Sequence, residues 1–252
     1  MTSSVSILPG MVAHSSGALS IPTSKTVIIA DLHLGYSWAQ RRRGELGPLA
    51  DSRTREKLFR VLDELRSERI VFLGDVVHAP RPCQPEREWI EQTLTQLNQR
   101  AELIAVRGNH DRAFAREFAH LPVRMMESWS EENVFAVHGD QLPHNVAQEQ
   151  TLVVGHLHPS IPVKDAAGAG QRLAVFLATD RCIVMPAFSP FARGYDLTAG
   201  VPAELAPHFG AGDIQAYAAS GTRVVQLGPL QRALERMFEA DVSAPALFRR
   251  GR

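Results

Sequence analysis

Five short polar motifs follow apolar runs in this chain: Asp31-Leu32-His33, Gly74-Asp75, Gly108-Asn109-His110-Asp111, His138-Gly139 and Gly155-His156-Leu157-His158. They offer the carboxylates of Asp31 and Asp75, the amide oxygen of Asn109, and the imidazoles of His33, His138, His156 and His158. This mixture of hard oxygen and borderline nitrogen donors suits manganese above all, with iron, zinc, cobalt or nickel as alternatives. A set without thiolates does not resemble a closed structural zinc site. Two divalent ions about 3.5–4 Å apart each need several such donors while leaving room for water and substrate. The donors are numerous enough for a dinuclear centre of the kind that hydrolyses phosphate esters.

The elements that must position these donors are β-strands. The run Thr26-Val27-Ile28-Ile29-Ala30 is β-branched, too short for an ordinary helix, and ends directly at Asp31. Ile70-Val71-Phe72-Leu73, Leu103-Ile104-Ala105-Val106, Val134-Phe135-Ala136-Val137 and Leu152-Val153-Val154 stand in the same relation to the other four motifs. Donors scattered along the chain then converge, because open α/β sheets bind ligands at the carboxyl ends of their strands. Gly74, Gly108, Gly139 and Gly155 permit tight backbone turns beside the ions.

Helices separate the strands. Residues 53–66 place Leu58, Val61, Leu62 and Leu65 on one face, and residues 86–100 do so with Ile90, Leu94 and Leu97. A shorter helix is expected over 111–120, then a strand over 122–126. Beyond Gly155 the pattern turns to hairpins, with a tip at 166–170 and strands over 172–178 and 182–185. Residues 197–212 read as a loop-like insertion, 222–227 as a strand, and 229–252 as a helix with a basic tail. The expectation is one α/β domain over 1–252, with two mixed sheets flanked by helices.

The five motifs, in this order and with no ligand position substituted, resemble the calcineurin-like metallophosphoesterase superfamily. Its pattern is Asp-x-His, Gly-Asp, Gly-Asn-His-Asp/Glu, His and Gly-His-x-His. The resemblance implies an α/β/β/α sandwich in which Asp31, His33 and His158 hold one metal and Asn109, His138 and His156 the other, with Asp75 bridging. It places His110 beside the metals as an acid or transition-state donor, and hydroxide between the ions would attack phosphorus in line. Asp111 would either orient His110 or cap a helix beginning at Arg112.

Protein phosphatases of that superfamily carry Asp-Arg after the Gly-Asp, beginning three residues beyond the bridging aspartate, whereas this chain reads Gly74-Asp75-Val76-Val77-His78-Ala79-Pro80-Arg81-Pro82, with no arginine at that position. This is similar to the Gly-Asp-x-x-His block of phosphodiesterase and nuclease branches, with His78 paired to His110 near the leaving oxygen. From about residue 17 to about 228, a narrower resemblance rests on Gly17-Ala18-Leu19, Asp31-Leu32-His33-Leu34-Gly35, Gly155-His156-Leu157-His158-Pro159 and Met185-Pro186-Ala187-Phe188. These are similar to the PdeM family of ligase-associated DNA damage response endonucleases. That likeness implies DNA as substrate and a repair ligase and helicase as partners. Ser189-Pro190-Phe191-Ala192-Arg193-Gly194 departs from the glycine-rich turn expected there. The alternatives are a phosphatase of small phosphomonoesters or nucleotides, and a non-catalytic scaffold; the complete donor set counts against the scaffold.

Composition sets outer bounds. The 252 residues are 44% hydrophobic, and 27 basic side chains balance 27 acidic ones. Broad nonspecific attraction to nucleic acid is therefore not expected, although Arg41-Arg42-Arg43 forms a local basic cluster after the first motif. No aromatic series interleaves with those arginines as a stacking platform. His14, His120, His144 and His208 read as ordinary hydrogen-bonded or solvated residues. Cys83 and Cys182 make no disulfide framework. No leader-like or membrane-spanning apolar stretch is present, so the expectation is a cytoplasmic enzyme.

Overall fold

The computed structural model describes residues 3–45, 50–164, 170–192, 194–210 and 212–243. In the first half the elements run β1 (Ser4–Leu8), β2 (Met11–His14), β3 (Leu19–Ile21), β4 (Thr26–Ala30), α1 (Tyr36–Arg42), α2 (Ala50–Leu65), β5 (Arg69–Leu73), α3 (Gln84–Asn98), β6 (Glu102–Val106), α4 (Phe114–Glu117) and β7 (Val123–Met126). Strands β1 to β4 form an antiparallel meander, and β4 to β7 continue the same sheet in parallel. Ala30 pairs with Leu73 and Leu73 with Val106. Three strands thus end in register, and the loops that follow them leave one edge at one height.

The second half supplies β8 (Trp129–Glu131), β9 (Val134–Val137), β10 (Thr151–Val154), β11 (Pro159–Lys164), β12 (Gly170–Ala178), β13 (Cys182–Val184), β14 (Tyr195–Asp196), α5 (Ala206–Phe209), β15 (Gln215–Ala219), β16 (Val224–Pro229) and α6 (Leu230–Ser243). Their order is β14-β11-β12-β13-β10-β9-β8, with β15 beside β12 and β16 beside β15. Strands β9, β10 and β13 are parallel, and Val137, Val154 and Val184 align. A second set of loops therefore leaves this sheet at one height too.

Alternation along the strands creates the layers. Ile28, Ala30, Val71 and Leu73 of the first sheet pack against Val134, Ala136, Val153 and Phe176 of the second. The opposite face of the first sheet, with Val27, Ile29, Ile70 and Phe72, packs on Leu58, Val61 and Leu62 of α2 and Ile90, Leu94 and Leu97 of α3. The outer face of the second sheet, with Leu152, Val154, Val175 and Leu177, is covered by Leu197, Leu205, Phe209 and Leu230. The result is the expected arrangement of two mixed sheets flanked by helices.

Several elements differ from expectation. The N-terminal meander and β15 carry no strong sequence signal, because their short strands mix alanine, serine and histidine with larger apolar residues. The helix expected over 111–120 is instead a 3-10 turn, Asp111–Ala113, followed by the single turn of α4. That turn begins at Asp111 itself, whose carboxylate accepts the Val77 and Gly108 amides. Within the region expected as a loop-like insertion, Leu197, Leu205 and Phe209 are buried and complete the second sheet's outer layer. The expected hairpin tip falls mostly on 165–169, and the basic tail on 244–252; both lie outside the described residues. Cys83 and Cys182 are free thiols, and no described helix is long and apolar enough to cross a membrane.

Candidate active site

The in-register strand ends bring the seven candidate donors to the seam between the two sheets. Ligand atoms of Asp31, His33 and His158 lie within 4.8 Å of one another, and so do those of Asp75, His138 and His156. Asp31 Oδ1 stands 2.9 Å from His158 Nε2, and Asp75 Oδ2 stands 3.8 Å from His33 Nε2. Asn109 joins through Oδ1, 3.1 Å from His138 Nε2. Each group draws side chains from both sheets.

The backbone is bent to achieve this. Asp31, His33, Asp75, His156 and His158 all have left-handed φ values, between 49° and 61°. Non-glycine residues rarely adopt that conformation, and such strain collects where function demands a particular side-chain direction. The strain is offset by hydrogen bonds around the loops. The His156 amide donates to Asp31 Oδ2 at 3.0 Å, the His110 amide donates to Asp75 Oδ1 at 2.9 Å, and the His33 amide donates to the Asp75 carbonyl at 2.8 Å. Gly74 shows how tight the junction is, since a Cβ built on it would lie 2.1 Å from His138 Nδ1.

Protonation fits a cation. His138 Nδ1 is 3.0 Å from the Leu73 carbonyl, which can only accept, so Nδ1 donates and the neutral ring would present its Nε2 lone pair. That lone pair faces Asn109 Oδ1 at 3.1 Å, His156 Nδ1 at 3.1 Å and Asp75 Oδ1 at 3.6 Å. Burial drives the His33 imidazole down to about 3, despite the pull of Asp31. Burial also acts to raise Asp31, but His158, His138 and His33 outweigh it and hold the carboxyl below its ordinary range. Burial raises Asp75 against the pull of His138, and burial together with His138 lowers His156. Asp31 and Asp75 are buried, and among the described residues neither is paired with a lysine or arginine. Buried carboxylates facing imidazole lone pairs are a donor set that divalent ions fit.

A cavity of about 990 Å³ opens beside these groups, with His33, His78, His110 and His158 in its walls. His110 Nδ1 donates to the His78 carbonyl at 2.8 Å, and its Nε2 lies 4.0 Å from Asp75 Oδ2. The two rings stack with centroids 5.5 Å apart. Burial, with His110, Arg43 and Arg42 adding to it, lowers His78 to about 4. Asp111 is buried beside this pair. Its carboxylate accepts the Gly108 amide at 3.1 Å and the Val77 amide at 3.3 Å, tying two donor loops together. Burial and the charge of Asp75 raise it to about 6.

Sequence reasoning passed over several residues that shape this region. The Asp51 carboxylate accepts the Gly35 and Ser37 amides at 2.9 and 3.0 Å, holding the start of α1. Fully buried Glu86 receives Arg42 and the Cys83 amide, so one of the three consecutive arginines is structural. Lys57 Nζ donates to the Phe188 carbonyl at 2.6 Å, while the Phe188 amide donates to Ala30 and the Ser189 amide to Asp31. Tyr36 and Phe191 also line the cavity. The aromatic positions were visible in sequence; their meeting was not.

A model of the calcineurin-like phosphoesterase superfamily domain matches residues 25–173. Among solved structures, the chain is similar to the Pseudomonas putida nuclease MPE, with 23% identity over 86% of this chain and 94% of that one and a TM-score of 0.64; that likeness is one of fold. It also aligns with Yfce, a phosphoesterase from E. coli, at 16% identity over 81% of this chain and 98% of that one, with a TM-score of 0.42. No curated protein matches the chain. The family match covers more than half of the sequence and runs from the strand before Asp31 to beyond His158, so the chain belongs to the calcineurin-like phosphoesterase superfamily.

Proposed function

We propose that the protein is a dinuclear-metal phosphodiesterase acting on nucleic acid, with DNA as its substrate in repair. Asp31, His33 and His158 would hold one ion, Asn109, His138 and His156 the other, and Asp75 both, with manganese the preferred metal. When bound, the ions supply positive charge for the phosphoryl oxygens and acidify water for attack on phosphorus.

The observation that carries the diesterase reading is His78, stacked on His110 in the cavity wall, in the stretch where the superfamily's protein phosphatases carry an arginine for a dianion. His110 is oriented by its Nδ1 bond to the His78 carbonyl, and in the imidazolium form its Nε2–H would pass a proton to the departing oxygen. His78, held down to about 4, is neutral at pH 7 and supports His110 rather than replacing it as proton donor. Asp111 acts through the loops it joins and is a positioning residue. The nuclease activity named for the Pseudomonas putida protein supports a nucleic-acid substrate, and the repair ligase and helicase association rests on the PdeM resemblance.

The test compares bis(p-nitrophenyl) phosphate, p-nitrophenyl phosphate and DNA oligonucleotides with manganese-loaded protein. Diester and oligonucleotide cleavage is expected. Strong preference for the monoester would replace this reading with a phosphatase, and no turnover of any ester would reject hydrolysis.

A further inference from the structure

The cavity contains an aromatic surface that the hydrolytic centre does not use. Tyr36, at the start of α1, and Phe191, in the loop after β13, bring their rings to 6.1 Å between centroids with planes inclined by only 21°. Both are half-buried and both line the cavity that contains His33, His78 and His110. The Tyr36 ring also meets the His78 ring in a T-shaped contact, with centroids 4.9 Å apart, which places the aromatic pair beside the proposed leaving-group position.

Charge surrounds the pair. Arg42, Arg43 and Arg81 line the same cavity, with Glu45 as the acidic side chain among its described lining residues. Arg42 is engaged by buried Glu86. Exposed Arg43 and Arg81 have no ion pair among the described residues, so their guanidinium groups are available to anions. Flat aromatic faces flanked by free guanidinium groups match a base and the phosphates on either side of it.

We propose that Tyr36 and Phe191 stack an unpaired nucleobase adjacent to the scissile phosphodiester, with Arg43 and Arg81 receiving the neighbouring phosphates. This rests on the phosphodiesterase reading above and adds a base-recognition site to it. A base-paired nucleotide has both faces covered by its neighbours, so the base must leave its stack or belong to a single strand.

Two measurements test the site on the full chain. The first compares kcat/KM for a single-stranded oligonucleotide with that for the same strand carrying abasic residues around the cleavage position. The base-bearing strand should be preferred by about tenfold or more, the loss typical of one stacked base, chiefly through KM. Phe191→Leu and Tyr36→Leu should collapse that preference, and Tyr36→Phe should restore it. The second measures fluorescence of 2-aminopurine, placed at successive positions in the oligonucleotide, in the presence of chelator; quenching at one position should disappear in Phe191→Leu. Because Tyr36 also touches His78, Phe191→Leu is the deciding variant if Tyr36→Leu fails to fold. An unchanged preference and unchanged quenching in Phe191→Leu would overturn the stacking site. If the wild type cleaves no diester, the phosphodiesterase reading itself falls, and the stacking proposal with it. Cleavage without base preference would leave that reading standing and reject the platform alone.

Discussion

The two sheets contribute unequally to the proposed centre. The first supplies both carboxylates, the amide and one imidazole, from loops after β4, β5 and β6; the second supplies imidazoles only, after β9 and β10. Each cluster is divided: Asp31 and His33 meet His158, and Asp75 meets His138 and His156. Neither sheet carries a complete site. Metal affinity in such an arrangement reports how well the sheets are docked, and metal binding in turn holds them together. The oxygen-rich half sets the charge of the site, while the imidazole half closes it.

The largest effect should come from removing the carboxylate shared across the division. Asp75→Asn should lower diester hydrolysis on the order of 10³-fold and reduce bound manganese from two ions per chain. Elemental analysis beside initial rates checks both, and two retained ions with full rate would exclude Asp75 as the bridge. Chelation of the wild type probes the same dependence through stability. A ligand at 100 times its Kd contributes about 2.7 kcal/mol, and a chain of this size shifts by about 2–4 °C per kcal/mol. Metal-free protein should therefore melt roughly 5–10 °C lower by calorimetry; an unchanged Tm would show that the sheets dock without help from the ions.

The next effect tests the contact between the halves at its tightest point. Gly74 has φ 76°, and an added Cβ would meet the His138 ring from the opposite sheet. Gly74→Ala should destabilise the fold by about 1–3 kcal/mol through backbone strain alone, with further loss of metal as His138 is displaced. Denaturant unfolding and metal content separate the two. His110→Ala should instead reduce turnover about 10²-fold while both ions remain bound, since His110 lies outside the two aspartate-containing groups and clusters with His33 and His78 in the cavity wall. Loss of metal in that variant would move His110 from proton transfer to ligation.

These contrasts explain what the sequence revealed. Continuous apolar runs such as Thr26–Ala30 and Val134–Val137 end abruptly in donors, so both the strands and their chemical edge were legible. Alternating neighbours also fixed the faces of α2 and α3, because Leu58, Ile90 and Leu94 recur at helical spacing. The meander β1 to β3 was not legible: its strands are three to five residues long, and buried His14 gains its place from Glu64 and Ser16 rather than from hydrophobicity. Contacts between distant loops were hidden for a different reason. Asp111 spends its carboxylate on amides of two loops, and Phe191 meets Tyr36 from the loop after β13, far away in sequence. Residue type announces a donor; only tertiary packing announces its partner.

The smallest effect on hydrolysis is expected at Lys57, which ties the halves together away from the donors. It projects from α2, on the outer side of the first sheet, and holds the carbonyl of Phe188, which follows the second sheet's β13. Its ammonium also lies 4.0 Å from the centre of the Phe188 ring. Burial, with Arg60 adding repulsion, lowers its pKa from 10.5 to about 7. Between those values the unfolded chain binds a proton that the native chain does not, so stability from this group rises with pH across the window. Below about pH 7 both states are protonated and the full cost of enclosing the charge is present; above 10.5 both are neutral and the dependence ends. Lys57→Met removes the charge but also the hydrogen bond to Phe188. Urea unfolding at pH 6.5 and 9 should therefore show the wild type gaining on the variant at the higher pH. A constant difference would mean that the ammonium is well solvated. If the variant instead loses hydrolysis along with stability, the Phe188 loop governs the alignment of Asp31, and the seam between the sheets extends beyond the metal-bearing loops.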